Sequence, residues 1–94
     1  MNLKEIFDKH NDEFLNFDAV EEKLSNRADL HAFLLLEKLA PGHRDMVSAA
    51  EHDVIYLDTD VEKLAEVASE SQIIELIRCG VMLDSETDSL TMFV

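Results

Sequence analysis

The apolar positions of the first 39 residues recur at the spacing of helices. Residues 2–15 carry leucine, isoleucine and phenylalanine side chains at roughly helical spacing, with a polar weak point at Asn11-Asp12. Residues 17–24 repeat a single apolar stripe, which predicts a second helix. Residues 27–39 show the strongest helical pattern, and Ser25 or Asn26 stands where a helix N-cap is expected.

The helix predicted over residues 27–39 is apolar on most of its circumference. Such a helix must be covered on most sides, and two arrangements meet this requirement. It is either the central helix of the core or part of an interface between subunits. A terminal strand with an exposed edge can also pair with its copy in a second chain. The residues expected at this interface are Phe33, Leu35, Leu36, Met92 and Val94.

A different pattern follows the break at Pro41-Gly42. We interpret residues 45–51 as one or two helical turns. Residues 54–58 are apolar and rich in β-branched and aromatic side chains, which predicts a strand. Residues 81–94 are two short apolar runs around a polar turn at 85–88, a pattern that indicates a β-hairpin.

Two helices are predicted between the strand and the hairpin. Thr59 precedes Glu62 by three residues, and Ser69 precedes Gln72 by three, which is the spacing of capping boxes. Gly80 stands where a helix usually ends. The whole pattern predicts a single α+β domain over residues 1–94. Its helical N-terminal half packs on a small, mostly antiparallel sheet made of one strand near 54–58 and the hairpin 81–94.

The apolar run ending in Asp58-Thr59-Asp60 resembles the first motif of the haloacid-dehalogenase-type phosphotransferases. That resemblance implies Asp58 as nucleophile, Asp60 as acid/base and magnesium between them. It covers about eight residues, and only 34 residues follow Asp60, too few for the parallel strands of that fold. A local explanation is simpler: Asp58 ends the strand, while Asp60 and Glu62 complement the positive end of the next helix.

The other residue types that carry chemistry lack the spacing that a site needs. The four histidines are scattered, and Lys63 stands where a calcium loop requires glycine. Cys79 lies late in an apolar helix, where a buried and inert thiol is expected. With two glycines the chain has no glycine-rich phosphate loop. We therefore expect no enzymatic activity, no catalytic residue, no metal and no cofactor.

The charge of the chain limits its partners. The net charge is −13, and residues 48–94 carry 11 acidic side chains against Lys63 and Arg78 alone. Such a charge repels nucleic-acid backbones and anionic lipids, so neither direct nucleic-acid binding nor membrane binding is expected. There is no long apolar span and no cationic leader, and the single cysteine permits no internal disulfide. A cytoplasmic location is the expectation from these features.

Two functional hypotheses follow, and a third is weaker. The first is a small acidic module that regulates or inhibits a larger protein with a basic surface, with nucleic-acid charge mimicry as its sharpest form. The second is a structural or assembly protein that works as a homo-oligomer, such as a homodimer. The third is magnesium-dependent phosphoryl chemistry at Asp58 and Asp60. The residues expected on the acidic partner-binding surface are Asp58, Asp60, Glu62, Glu66, Glu70, Asp84, Glu86 and Asp88.

Overall fold

Along residues 1–93, two helices are followed by two strands, and then two further helices by two further strands. The structure is a computed structural model that describes residues 1–93. Two short 3-10 turns, Asn11–Glu13 and Phe17–Ala19, follow the first helix. The helices are α1 (Leu3–Lys9), α2 (Ala28–Leu39), α3 (Val61–Val67) and α4 (Glu70–Arg78), and the strands are β1 (Val47–Glu51), β2 (Val54–Leu57), β3 (Val81–Asp84) and β4 (Ser89–Phe93).

All strands of the sheet are antiparallel and lie in the order β1-β2-β4-β3. The predicted α+β class, the strand near 54–58 and the C-terminal hairpin are confirmed. The terminal strand β4 lies between β2 and β3, so it is an interior strand. The expectation of a terminal strand with a free edge was therefore wrong, because both of its backbone edges are paired. The edges of the sheet are β1 and β3.

The segment interpreted as helical turns, residues 45–51, contains strand β1 instead. β1 pairs with β2 through a tight turn at His52-Asp53, where His52 has a positive φ of 56°. The hydrogen bond from the Asp58 amide to the Met46 carbonyl, 2.7 Å long, extends the ladder beyond the strand. Pairing with β2 satisfies more backbone groups than an isolated helical turn could, and this outweighs the helix propensity of alanine.

The helix predicted over residues 17–24 is also absent. The 3-10 turn at Phe17–Ala19 is followed by an irregular segment up to Arg27. Neither Ser25 nor Asn26 caps α2, since Arg27 is the N-cap residue and no side chain bonds there. Of the residues in the apolar stripe, Val20 is buried, Phe17 is half-buried and Leu24 is exposed. The contacts of Val20 come from tertiary packing rather than from a helix.

The helix caps of the second half agree only in part with the sequence pattern. The Ser69–Gln72 capping box is present at the start of α4. For α3, however, Asp60 and not Thr59 is the N-cap, and its Oδ1 accepts from the Lys63 amide at 3.0 Å. The Thr59 hydroxyl donates to the Ala40 carbonyl instead, which joins the end of β2 to the end of α2.

One core lies between the helices and one face of the sheet. Helix α2 contributes Ala32, Leu35 and Leu36 to it, so α2 is a core helix of the single chain. Leu57 of β2, together with Leu90 and Met92 of β4, faces the helices. The remaining buried members are Leu3, Ala40, Leu64, Ala68, Ile73, Leu76, Ile77, Cys79 and Val81. In the part of the chain that the structure describes, no helix combines the length and apolarity needed to cross a membrane.

Candidate protein-interaction surfaces

Asp58 and Asp60, the pair of the D-x-D motif, both bind backbone amides. Asp58 is half-buried, and its Oδ2 accepts from the amides of His43 and Arg44 at 3.0 and 2.7 Å. Asp60 caps α3. A Cβ on Gly42 would clash with the Asp58 carbonyl and carboxylate, so the close approach of the turn requires glycine there. Both carboxylates thus have local structural roles.

Two further members of the predicted acidic set are also engaged. Asp84 Oδ1 accepts from the Glu86 amide at 3.0 Å and thereby shapes the hairpin turn. Glu70 contacts His10 Nε2 at 2.8 Å and Lys9 Nζ at 3.6 Å. The side-chain hydrogen bond with His10 and the charge of Lys9 lower the pKa of Glu70. Glu70 therefore stays ionised in a local ion-pair cluster.

The other four predicted acids are exposed: Glu62, Glu66, Glu86 and Asp88. Among the described residues none of them forms a salt bridge. The fold brings two of these acids, Glu62 and Asp88, close together. Glu62 of α3 and Asp88 of the hairpin turn line the same shallow depression of about 560 Å³, with Lys4 as its cation. We call the surface around this depression, with Glu62 and Asp88, the acidic end.

Most of the residues expected at an oligomer interface lie inside the single chain, where a second chain cannot contact them. Leu35, Leu36 and Met92 are buried in the core of the single chain, and Phe33 is half-buried against it. Val94 lies outside the described residues. The exposed apolar side chains of α2 are Leu30 and Leu34, which are one helical turn apart.

The face of the sheet opposite the helices is an apolar surface that sequence reasoning missed as a site. Cross-strand partners share a face of a sheet, and here Tyr56 is paired with Thr91, Thr91 with Met82, and Val54 with Phe93. None of the four apolar residues belongs to the buried core; Val54, Tyr56 and Met82 are half-buried, and Thr91 between them is buried. Phe93 is 57% exposed, and its ring meets Phe14 edge-on at 6.3 Å. We call the surface formed by Val54, Tyr56, Met82, Thr91 and Phe93 the open face.

The charged side chains that the four strands contribute have one sign. The two acids of the strands, Glu51 on β1 and Asp84 on β3, pair with Val54 and Ser89, so they lie on this face at opposite edges of the sheet. No strand contains lysine or arginine. An apolar centre between acidic edges matches a partner surface with an apolar centre and a basic rim.

The open face had a signal in the sequence. Thr91 and Phe93 alternate with the core residues Leu90 and Met92, and alternation assigns them to the second face of the strand. The pattern did not reveal that this second face lacks a covering element. That property depends on where the helices pack, and every helix that reaches the core does so from the other side.

Three further titratable side chains, Glu13, Arg78 and Cys79, have structural roles. Arg78 Nε donates to Glu13 at 2.6 Å, and this hydrogen bond lowers the pKa of Glu13 and raises that of Arg78. Burial, with a smaller effect from the charge of Glu75, raises the pKa of the Cys79 thiol to about 12. Such a thiol carries almost no nucleophilic thiolate at neutral pH. Within the described residues, no group of three or more His, Cys, Asp or Glu side chains is placed to hold a metal ion.

Comparison with known proteins gives no relative for this chain. No protein-family model matches it, and no curated protein and no solved structure is significantly similar to it.

Proposed function

We propose that this protein is a small, non-enzymatic interaction module that docks on a larger protein through the open face and thereby regulates or inhibits it. The observation that carries the proposal is the open face itself. A two-layer fold usually presents polar side chains on the solvent side of its sheet. Here the half-buried Val54, Tyr56 and Met82 and the exposed Phe93 stand there instead, and apolar patches on a protein surface mark interaction sites.

The charge indicates the nature of the partner. Docking two copies through their open faces would bring Glu51 and Asp84 of one copy near acids of the other, while both chains carry −13. A partner with a basic rim removes this repulsion and gains attraction. The acidic end would strengthen the same attraction from a distance. Charge mimicry of nucleic acid is the narrower form of this proposal, in which the partner is itself a nucleic-acid-binding protein.

The test compares two variants that make the same chemical change on different surfaces. Phe93→Glu places a charge on the open face, and Leu34→Glu places one on α2, where the leucine is 45% exposed. Lysate of the source cells is passed over the immobilised protein at low and high salt, and the captured proteins are identified by mass spectrometry. We expect one specific partner for the wild type and for Leu34→Glu, released by salt, and its loss for Phe93→Glu.

Each alternative outcome has a defined meaning. Capture of the same partner by Phe93→Glu would show that the open face is not the docking surface. Capture of only those proteins that also bind an unrelated acidic protein would leave the interaction proposal without support. Release of the partner by added DNA at constant ionic strength would favour the mimicry form.

Self-assembly is the second candidate function, and strand β1 favours it. All five residues of β1 are exposed, and the strand is an edge of the sheet. An open edge without lysine or proline can pair with another strand. Sedimentation velocity at micromolar concentration tests this directly. A dimer that Ala50→Lys converts to a monomer would support it, and a wild-type monomer would refute it.

A further inference from the structure

His31 is a fully buried histidine whose two ring nitrogens both have partners. Its Nδ1 accepts from the backbone amide of Leu24 at 3.0 Å, and its Nε2 lies 2.9 Å from Glu75 Oε2. An amide N–H can only donate, so Nδ1 must carry no proton. The proton of the neutral ring is therefore on Nε2, which donates to Glu75.

The Leu24 amide, from which His31 accepts a hydrogen bond, belongs to a segment, residues 21–27, with few other attachments to the rest of the chain. In the 21–27 segment, Ser25 is half-buried and the other six residues are exposed. Among the described residues, the Leu24 amide is the only backbone amide of this segment whose hydrogen bond leaves it. Exposed segments with few buried contacts open at low free-energy cost. Other hydrogen bonds tie this segment to the chain at its two ends, among them those of Lys23 Nζ with the Val20 carbonyl and of the His31 amide with the Arg27 carbonyl. The Leu24 bond therefore matters most for the middle of the segment.

Protonation of His31 is incompatible with that hydrogen bond. An imidazolium carries N–H groups on both nitrogens, so its Nδ1–H would point at the Leu24 N–H. The Glu75 carboxylate would still accept from Nε2, which gives the buried cation a partner. Histidine ordinarily changes its charge between pH 5 and 8. We propose that the 21–27 segment is an acid-released clasp, held closed by neutral His31 and opened when His31 gains a proton.

The surrounding charges confine the opening to this segment. Glu75 is the charged side chain that contacts the ring, while the Phe17 ring packs edge-on against it at 5.9 Å. Lys23 Nζ lies 5.1 Å from the centre of the Phe17 ring. Three other charged groups lie near this site. Glu21 and Arg78 line the depression beside Glu75, and Glu13 forms an ion pair with Arg78.

The ion pair of Arg78 with Glu13 keeps the preceding residues attached. Arg78 also donates to the Ala19 carbonyl at 3.3 Å. Because the pKa of Glu13 is lowered, this pair persists at a pH where histidines are already protonated. Opening therefore begins after Val20, which is buried in the closed form.

Nuclear magnetic resonance tests the clasp on the unsubstituted protein. Imidazole ¹⁵N shifts of His31 report its tautomer and its protonation, and hydrogen exchange reports the protection factor of the Leu24 amide in the same samples from pH 8 to pH 5. We expect the Nε2–H tautomer at high pH. The Leu24 protection factor is expected to fall at least tenfold with protonation of His31, while that of Leu76 in α4 stays constant.

Two variants separate the clasp from general loosening in acid. His31→Asn keeps an acceptor oxygen near the position of Nδ1 but cannot be protonated, so its Leu24 protection should not change with pH. Glu75→Gln removes the charge that favours the imidazolium, so the transition should move to lower pH. Constant Leu24 protection while the ¹⁵N shifts show protonation would overturn the proposal. So would an equal loss in His31→Asn. The wild-type signals decide the question even if a variant does not fold, because a His31 ring that stays neutral down to pH 5 would also overturn the proposal.

Discussion

Replacing Asp58 by alanine distinguishes a structural carboxylate from a catalytic one. The substitution removes the single oxygen, Oδ2, that accepts from the amides of His43 and Arg44. Hydrogen bonds to charged groups contribute about 1.5–3 kcal/mol each. Both amides belong to exposed residues, so water can replace part of the loss, and we take about 1–1.5 kcal/mol for each. The expected loss of unfolding free energy is about 2–3 kcal/mol, which corresponds to a fall in Tm of about 10–20 °C.

Urea denaturation followed by circular dichroism measures this loss. Glu66→Ala is the matched control, because it removes the same charge from an exposed helical site and should change stability by less than about 0.5 kcal/mol. Asp58→Asn keeps an acceptor oxygen without the charge and should cost about 1 kcal/mol.

Two results would refute the structural role of Asp58. One is a midpoint for Asp58→Ala equal to that of Glu66→Ala, since the two hydrogen bonds would then not stabilise the turn. The other is a rise in wild-type Tm with millimolar magnesium that Asp58→Ala abolishes. That rise would indicate metal binding by the native state and would restore the phosphotransferase-like reading.

Three further expectations concern the core, the thiol and the acid range. Leu36→Ala should lower the unfolding free energy by about 2–5 kcal/mol and Leu34→Ala by much less, because Leu36 is buried and Leu34 exposed; equal effects in urea denaturation would contradict the core position of α2. With a pKa of about 12, Cys79 should not react with Ellman's reagent at pH 8 until the protein is unfolded; rapid native labelling would contradict its burial. The lowered pKa of Glu13 means that its pair with Arg78 stabilises the fold at neutral pH, above the ordinary glutamate pKa of about 4.3, and that this contribution disappears as the pH falls through the lowered value. The stability difference between wild type and Glu13→Gln should therefore shrink in acid, and a difference that persists at pH 2 would contradict the ion pair.

Local patterns were sufficient where one element determines its own structure. The alternation of residues 81–93, the strand predicted near 54–58 and the Ser69–Gln72 capping box depend on neighbours in sequence. The hairpin and the capping box have the predicted form, and the strand is observed over Val54–Leu57. The apolar circumference of α2 likewise predicted correctly that other elements must pack against the helix. The sequence alone left open whether the same chain or a second chain supplied it, and the core of the single chain covers Leu35 and Leu36.

Patterns failed where a distant partner determines the structure. Residues 47–51 are a strand because β2 pairs with them, and residues 20–27 are irregular because Val20 is buried and His31 binds the Leu24 amide. Asp58 was predicted to be on an acidic surface, yet it binds a turn that lies 14 and 15 residues earlier in the chain.

The sequence by itself determined the class of fold, the acidity of the second half and which side chains alternate along each strand. Only the tertiary structure decided which acids remain exposed, that β4 is an interior strand and that one apolar face of the sheet is uncovered. The physical reason is that alternation and helical spacing assign a residue to a face of its own element. Whether that face meets a helix, a strand or solvent depends on packing between elements far apart in the chain.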